Sequence, residues 1–259
     1  MRRKDIEKLW IAGKRAEAIE AAKDAADEIN DTAELLDIAD VLQTLAEEAG
    51  RCHEADNGIK VAAFLRRKAW HKDNPQSVHA NQGLVRWYVR TGRYQEAETE
   101  LTQMRTKAER FVNQTPLPLL VLLNLSADVA VQAGRYEDAI AHLQRAIEIE
   151  QTYKSTDVND LGSLYREIAQ VLLRINRVDE AINALESSIS EPCQVLSGSE
   201  EAEVLSDLAQ LSERQGQVNR ALNFIERAVK KCRSELGSTH PHTMRHCRSL
   251  ARLRALKAQ

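Results

Sequence analysis

Four side chains able to bind a metal crowd one short stretch of the chain: His240, His242, His246 and Cys247. Imidazole and thiolate together suit zinc. Their spacing has a plainer origin, because His240-Pro241 reads as a helix-starting pair and His246 and Cys247 follow on the helix it opens; no metal is expected there. The sequence also lacks a P-loop, a GxGxxG turn, a GxSxG elbow and an HExxH helix, so it is expected to have no catalytic residue, no cofactor and no enzymatic activity. The chemistry left is recognition. Arg90, Arg174 and Arg214 each fall two residues ahead of a tight-turn residue, in a row completed by Glu48 and Gln132. Beside it runs Glu47, Val89, Val131, Leu173 and Glu213, with Arg86 and Arg166 on neighbouring positions. Aliphatic side chains offer area and guanidinium groups offer forked hydrogen bonds to carboxylates, a pairing suited to a peptide or partner protein of acidic and hydrophobic character.

Those rows exist because the chain repeats. Ala18, Ala55, Ala97, Ala139, Ala181 and Ala221 each lie five residues after a tight-turn residue, namely Gly13, Gly50, Gly92, Gly134, Asn176 and Gly216. The alanines are spaced by 37, 42, 42, 42 and 40 residues, a period that signals stacked helical units rather than one compact globule. After the turn at Gly134, Ala139, Leu143, Ala146 and Ile147 make one helical face, and PLPLLVLLNLSADVAVQ ahead of it reads as a second apolar helix. Two antiparallel helices joined by a residue able to take positive φ form the unit, and the alanine lets them approach closely.

With these copies, with small residues at Ala127, Ala169, Ala209 and Ala251, and with the GSTHPHT linker before the last helix, the chain resembles the tetratricopeptide repeat in its long version, as in kinesin light chains and bacterial regulatory proteins. The resemblance implies an all-α fold, a right-handed superhelical solenoid of antiparallel helix pairs with about six repeats and a C-terminal capping helix. It covers 1–259 as a single domain: a degenerate repeat at 1–29, five repeats over 31–235 and a polar cap at 241–258. It also implies that the first helices line a concave groove, which puts the arginine row, and Asn124 at a family asparagine position, on the partner-binding surface.

Composition agrees with helices throughout: 10 Gly and 5 Pro in 259 residues, with few aromatics. Asn74-Pro75, Thr115-Pro116 and His240-Pro241 mark helix starts, as do Asp31 with Glu34 and Ser197 with Glu200 at capping-box spacing. Trp70 and Trp87 are expected in the core, Trp10 to close the end of the stack or project as a contact, and Asn57-Gly58 to weaken or kink residues 50–60. The four cysteines, Cys52, Cys193, Cys232 and Cys247, are expected as reduced thiols. The net charge of −3 hides a polarity. Residues 16–56 carry many acids against Lys23 and Arg51, whereas 227–259 carry nine Lys and Arg, with Arg245, Arg248 and Arg252 among them, against Glu235 alone. Two further readings follow: nucleic-acid binding by the basic end, disfavoured because no aromatics are interleaved there for stacking, and salt-sensitive head-to-tail self-association. With no signal-peptide pattern and no apolar run of membrane-spanning length, a cytoplasmic protein without a membrane partner is expected.

Overall fold

Helix pairs joined by tight turns make up the computed structural model, which describes residues 3–70, 78–153, 161–190 and 197–258. Among the described residues there are thirteen α-helices and no strand. The chain divides into two compact units, residues 1–142 and 143–259. Unit 1 holds α1 (Arg3–Ile11), α2 (Arg15–Glu28), α3 (Thr32–Glu48), α4 (His53–Ala69), α5 (Gln82–Arg90), α6 (Tyr94–Glu109) and α7 (Leu117–Gln132). It ends within α8 (Tyr136–Tyr153). Unit 2 continues through α9 (Leu161–Arg174), α10 (Val178–Ser188), α11 (Gly198–Arg214), α12 (Val218–Leu236) and α13 (Pro241–Lys257). The fold is all-α and of the solenoid type, built from helices packed in pairs: α3 on α4 and α5 on α6 in unit 1, α9 on α10 and α11 on α12 in unit 2.

The turns carry this arrangement. All six turn residues of the repeat have positive φ, from +74° to +79° at the five glycines and +60° at Asn176. Asparagine tolerates the left-handed region better than other side chains, which explains its place in the series. At five of the turns the same pair of bonds closes the first helix. At Gly134, for example, Gly134 N–H donates to Val131 O at 3.1 Å and Arg135 N–H to Ala130 O at 2.8 Å. Reversal in so few residues forces the two helices together, and the alanine five residues later meets the neighbour. Ala18, Ala55, Ala97, Ala139, Ala181 and Ala221 are all 0% exposed.

Helix starts follow the sequence signals in part. Ser197 and Glu200 form the reciprocal capping box, and the Asp31 carboxylate accepts from Ala33 N–H at 2.8 Å. Pro241 occupies the first turn of α13, while Pro116 caps α7 from outside it. The Asn74-Pro75 pair and Cys193 lie outside the described residues.

Three expectations need correction. Asn57-Gly58 does not break its helix: α4 runs unbroken from His53 to Ala69. Gly58 is buried because α4 crosses close to its neighbours, and a Cβ there would stand 3.0 Å from Ala46 Cβ and 3.4 Å from Trp10 Cη2. The residue is selected for absence of volume rather than for a bend. Gly58→Val is therefore expected to cost about 1–3 kcal/mol by overpacking, read as a lowered urea midpoint; an unchanged midpoint would mean that α4 does not approach Ala46 closely. Trp70 is half-buried at the end of α4, where the chain leaves the helix, whereas Trp10 and Trp87 are buried at 6% and 3% exposure. The expected cap is also only half polar. α13 buries Thr243, His246 and Leu253 but leaves Met244 47% and Leu256 42% exposed.

Candidate interaction site

In unit 2, α9 ends at the Asn176 turn and α11 at the Gly216 turn, so Leu173, Arg174, Glu213 and Arg214 all fall in a last helical turn. Cations there complement the helix dipole and project from the helix ends. Between α9 and α11 lies a cleft of about 310 Å³ that brings together Arg166, Leu173 and Arg214, with Leu185, Val204 and Leu211 as apolar lining. Leu173 is 38% exposed. Arg174 is exposed on α9 but outside this lining. Among the described residues neither Arg174 nor Arg214 makes an ion pair. The cleft also holds Asp207, whose carboxyl is pushed up, by burial first and by Glu203 second.

In unit 1 the row residues are dispersed. Arg90 stacks over the Trp87 ring, 4.8 Å from its centroid, and stands 4.0 Å from Glu47. Its charge is thus partly engaged. Arg86 is exposed and lines a separate cleft of about 350 Å³ with Asp40, Gln43 and Arg66. Val89, Asn124 and Val131 are half-buried, serving packing as much as surface.

The basic terminal patch is largely compensated. Arg252 bonds Glu213 at 2.6 Å and Arg254 bonds Glu226 at 2.8 Å, while Arg245 donates to both carboxylate oxygens of Glu203. Of the three patch arginines Arg245, Arg248 and Arg252, only Arg248 is exposed and without an ion pair among the described residues, and Lys257 further along α13 is likewise exposed and unpaired. Arg252 also shares a cleft of about 500 Å³ with Arg214, so the groove row and the terminal patch, separate in the sequence reading, meet at α11.

Glu203 also organises the histidines. It accepts from His242 Nδ1 at 2.8 Å and lies 3.6 Å from Nε2 of His246, which is 0% exposed with neither ring nitrogen hydrogen-bonded. The His240 and His242 rings stack 5.4 Å apart, and Arg233 donates to Cys247 Sγ at 3.8 Å. Cys52, Cys232 and Cys247 are free thiols. The four ligand-type residues therefore do not converge, and among the described residues no His, Cys, Asp and Glu group is arranged to hold a metal. Burial pushes the His246 imidazole below its ordinary 6.5, Glu203 opposes this, and Arg245 and His242 add to it. Because the folded pKa lies under the unfolded one, the unfolded chain takes up a proton first as pH falls. The His246 contribution to stability is therefore present above about pH 6.5 and lost as pH drops through the lowered folded value. His246→Leu is expected to flatten the fall in melting temperature between pH 7 and 5; a slope identical to that of the parent protein would show that His246 is not the titrating group.

Sequence reasoning missed the partners of these cations because they lie about one repeat away. Arg93 bonds Asp56 at 2.5 Å and Arg135 bonds Glu98 at 3.0 Å, both across 37 residues. A search for opposite charges at a fixed offset of 37 residues, five short of the 42-residue repeat, would have found both.

Two family models, each described as tetratricopeptide repeat, match residues 119–190 and 202–242, over α7 to α10 and α11 to α13. Those two stretches are tetratricopeptide repeats. Solved tetratricopeptide structures share the fold at low identity. A Podosopora anserina protein assigned as a kinesin light chain is 21% identical over 73% of this chain and 90% of its own, with a TM-score of 0.52. BtubC (BKLC) from P. vanneervenii is 18% identical over 91% and 94%, with a TM-score of 0.57. A signal transduction ATPase with a tetratricopeptide repeat sensor from Pyrococcus horikoshii is 14% identical over 96% and 38%, with a TM-score of 0.61. No curated protein sequence matches the chain. Among the described residues no helix of this repeat protein is long and apolar enough to cross a membrane.

Proposed function

We propose that the protein is a non-enzymatic interaction module, a scaffold or regulatory adaptor whose first helices hold a segment of another protein with acidic and hydrophobic residues. The observation that carries this reading is the state of the charges in unit 2. Arg174 and Arg214 are exposed and uncompensated beside exposed Leu173, whereas Arg245 and Arg252 are already neutralised by Glu203 and Glu213. A cation with an internal partner contributes little to binding an external anion, while an unpaired one beside apolar surface can be desolvated against a carboxylate at a net gain. The binding residues in this reading are Arg166, Leu173, Arg174 and Arg214 in unit 2; Arg86, Val89, Arg90, Asn124 and Val131 are a separate set of candidates within unit 1.

The test is site-specific photo-crosslinking. A benzophenone side chain at Leu173 is expected to trap a protein from the native cell, and the same group at Phe64, an exposed residue of α4, is expected not to trap it. No adduct at Leu173, together with a gel shift of duplex DNA at physiological salt that is lost in Arg248→Glu, would overturn the reading in favour of nucleic-acid binding by the basic end.

A further inference from the structure

One pair of side chains recurs on successive first helices of unit 2. Gln170 and Arg174 on α9, like Gln210 and Arg214 on α11, stand six and two residues ahead of their turn residues, Asn176 and Gly216. All four are exposed, and among the described residues none makes a hydrogen bond or an ion pair. Glu213, beside Arg214 in the chain, is already held by Arg252 at 2.6 Å and leaves the Arg214 charge free. The clefts on the two sides of α11, of about 310 and about 500 Å³, both have Gln210 and Arg214 in their lining. The pairing is particular to these helices, since the same two places on α7 hold Asp128 and Gln132.

Each pair has a definite complement. A carboxamide carries donor and acceptor together and can bond a peptide group of a partner backbone, while a guanidinium forks onto a carboxylate. Repeated on two helices that line one cleft, the pairs call for two carboxylates at the separation of neighbouring helices, about 10 Å. A polyproline II chain, with three residues per turn, returns to the same face every third residue, after about 9 Å. A β-strand returns every second residue, at about 7 or 13 Å, and fits the spacing poorly. An α-helix needs seven residues for about 10 Å and, at about 10–12 Å across, is too thick to enter clefts of this size. Given an acidic partner on this surface, as proposed above, we infer that α9 and α11 select a polyproline II segment with two carboxylates three residues apart, one on Arg174 and the other on Arg214. Gln170 and Gln210 hold its backbone, and an apolar residue between the two acids, for which proline is preorganised, lies against Leu173, 38% exposed.

The experiment titrates the full chain into fluorescein-labelled synthetic peptides and reads anisotropy. Three proline-rich peptides of one composition carry two Glu separated by one, two or three residues; a fourth carries Lys in place of Glu at the middle spacing, and a fifth is an alanine-rich helix with Glu seven residues apart. The peptide with two intervening residues is expected to bind at least tenfold more tightly than each of the other four. Its affinity should fall at least tenfold in Arg174→Glu/Arg214→Glu and severalfold in Gln170→Leu/Gln210→Leu, which removes the amides without altering charge, while Arg248→Glu/Lys257→Glu leaves it unchanged. Circular dichroism checks that each variant keeps its helices. Glu peptides that bind equally at every spacing, yet all weaken in Arg174→Glu/Arg214→Glu, overturn the inference and leave the acidic-partner reading standing. Tighter binding of the helical peptide does the same, since the segment would then be a helix. Binding of the Lys peptide as tight as that of its Glu counterpart, or affinity for Glu peptides indifferent to Arg174→Glu/Arg214→Glu, overturns both.

Discussion

Exchanging Arg174 and Arg214 for Glu is expected to weaken the partner trapped at Leu173 by about 3 kcal/mol, roughly a hundredfold in Kd, while leaving folding within about 0.5 kcal/mol. The asymmetry follows from their surroundings. Both arginines are exposed and neither makes an ion pair among the described residues, so the folded chain loses no internal contact. An acidic segment, by contrast, would meet two repulsive charges where it had two attractive ones, beside Leu173 and Leu211 where water is partly excluded. Arg90 is a poorer choice, because its stacking on Trp87 and approach to Glu47 tie it to the stability of unit 1. The matched control is Arg248→Glu/Lys257→Glu on α13, both exposed and unpaired among the described residues. Arg252 cannot serve, since it neutralises Glu213 and lines a cleft with Arg214. A Kd unchanged in the α9/α11 pair but abolished in the α13 pair would make the basic helix the working surface.

The fold was readable in the sequence because its determinants are local. A positive-φ turn residue with an alanine five positions later is a short-range pattern, and it recurs with almost the same spacing wherever a helix must reverse and repack. The site was less readable because its character is set across repeats. Nothing near Arg245 in the chain announces Glu203, and nothing near Arg93 announces Asp56; each partner is brought in by stacking. The same limit misled the reading of Gly58. Its composition suggested a weak helix, but a neighbouring residue, Ala46, decides its role, and that neighbour belongs to the preceding helix. Exposed valines and leucines divided similarly. Leu173 projects, while Val89 and Val131 at the same repeat position are half-buried.

Removing Trp87 should give the largest loss of stability. The side chain is 3% exposed on α5, a helix of only nine residues whose other large buried side chains are Leu84, Val85 and Tyr88, and its indole N–H donates to Asp56 Oδ1 at 3.1 Å. Trp87→Ala is expected to cost about 3–5 kcal/mol, from lost burial and the cavity left behind. Trp87→Phe separates the two contributions, since it keeps much of the apolar volume but not the donor. Asp56 retains Arg93 at 2.5 Å and Lys60 at 2.6 Å. Although burial works to raise its pKa, hydrogen bonds from Lys60, Trp87 and Arg93 outweigh it and the carboxyl lies below its ordinary value. Losing one of three donors should therefore cost only about 1 kcal/mol beyond the packing deficit of Phe. Urea denaturation followed by circular dichroism resolves the pair. If Phe proves as damaging as Ala, the hydrogen bond to Asp56 rather than the indole's volume holds α5 to α4, and the packing account of unit 1 is wrong at this position.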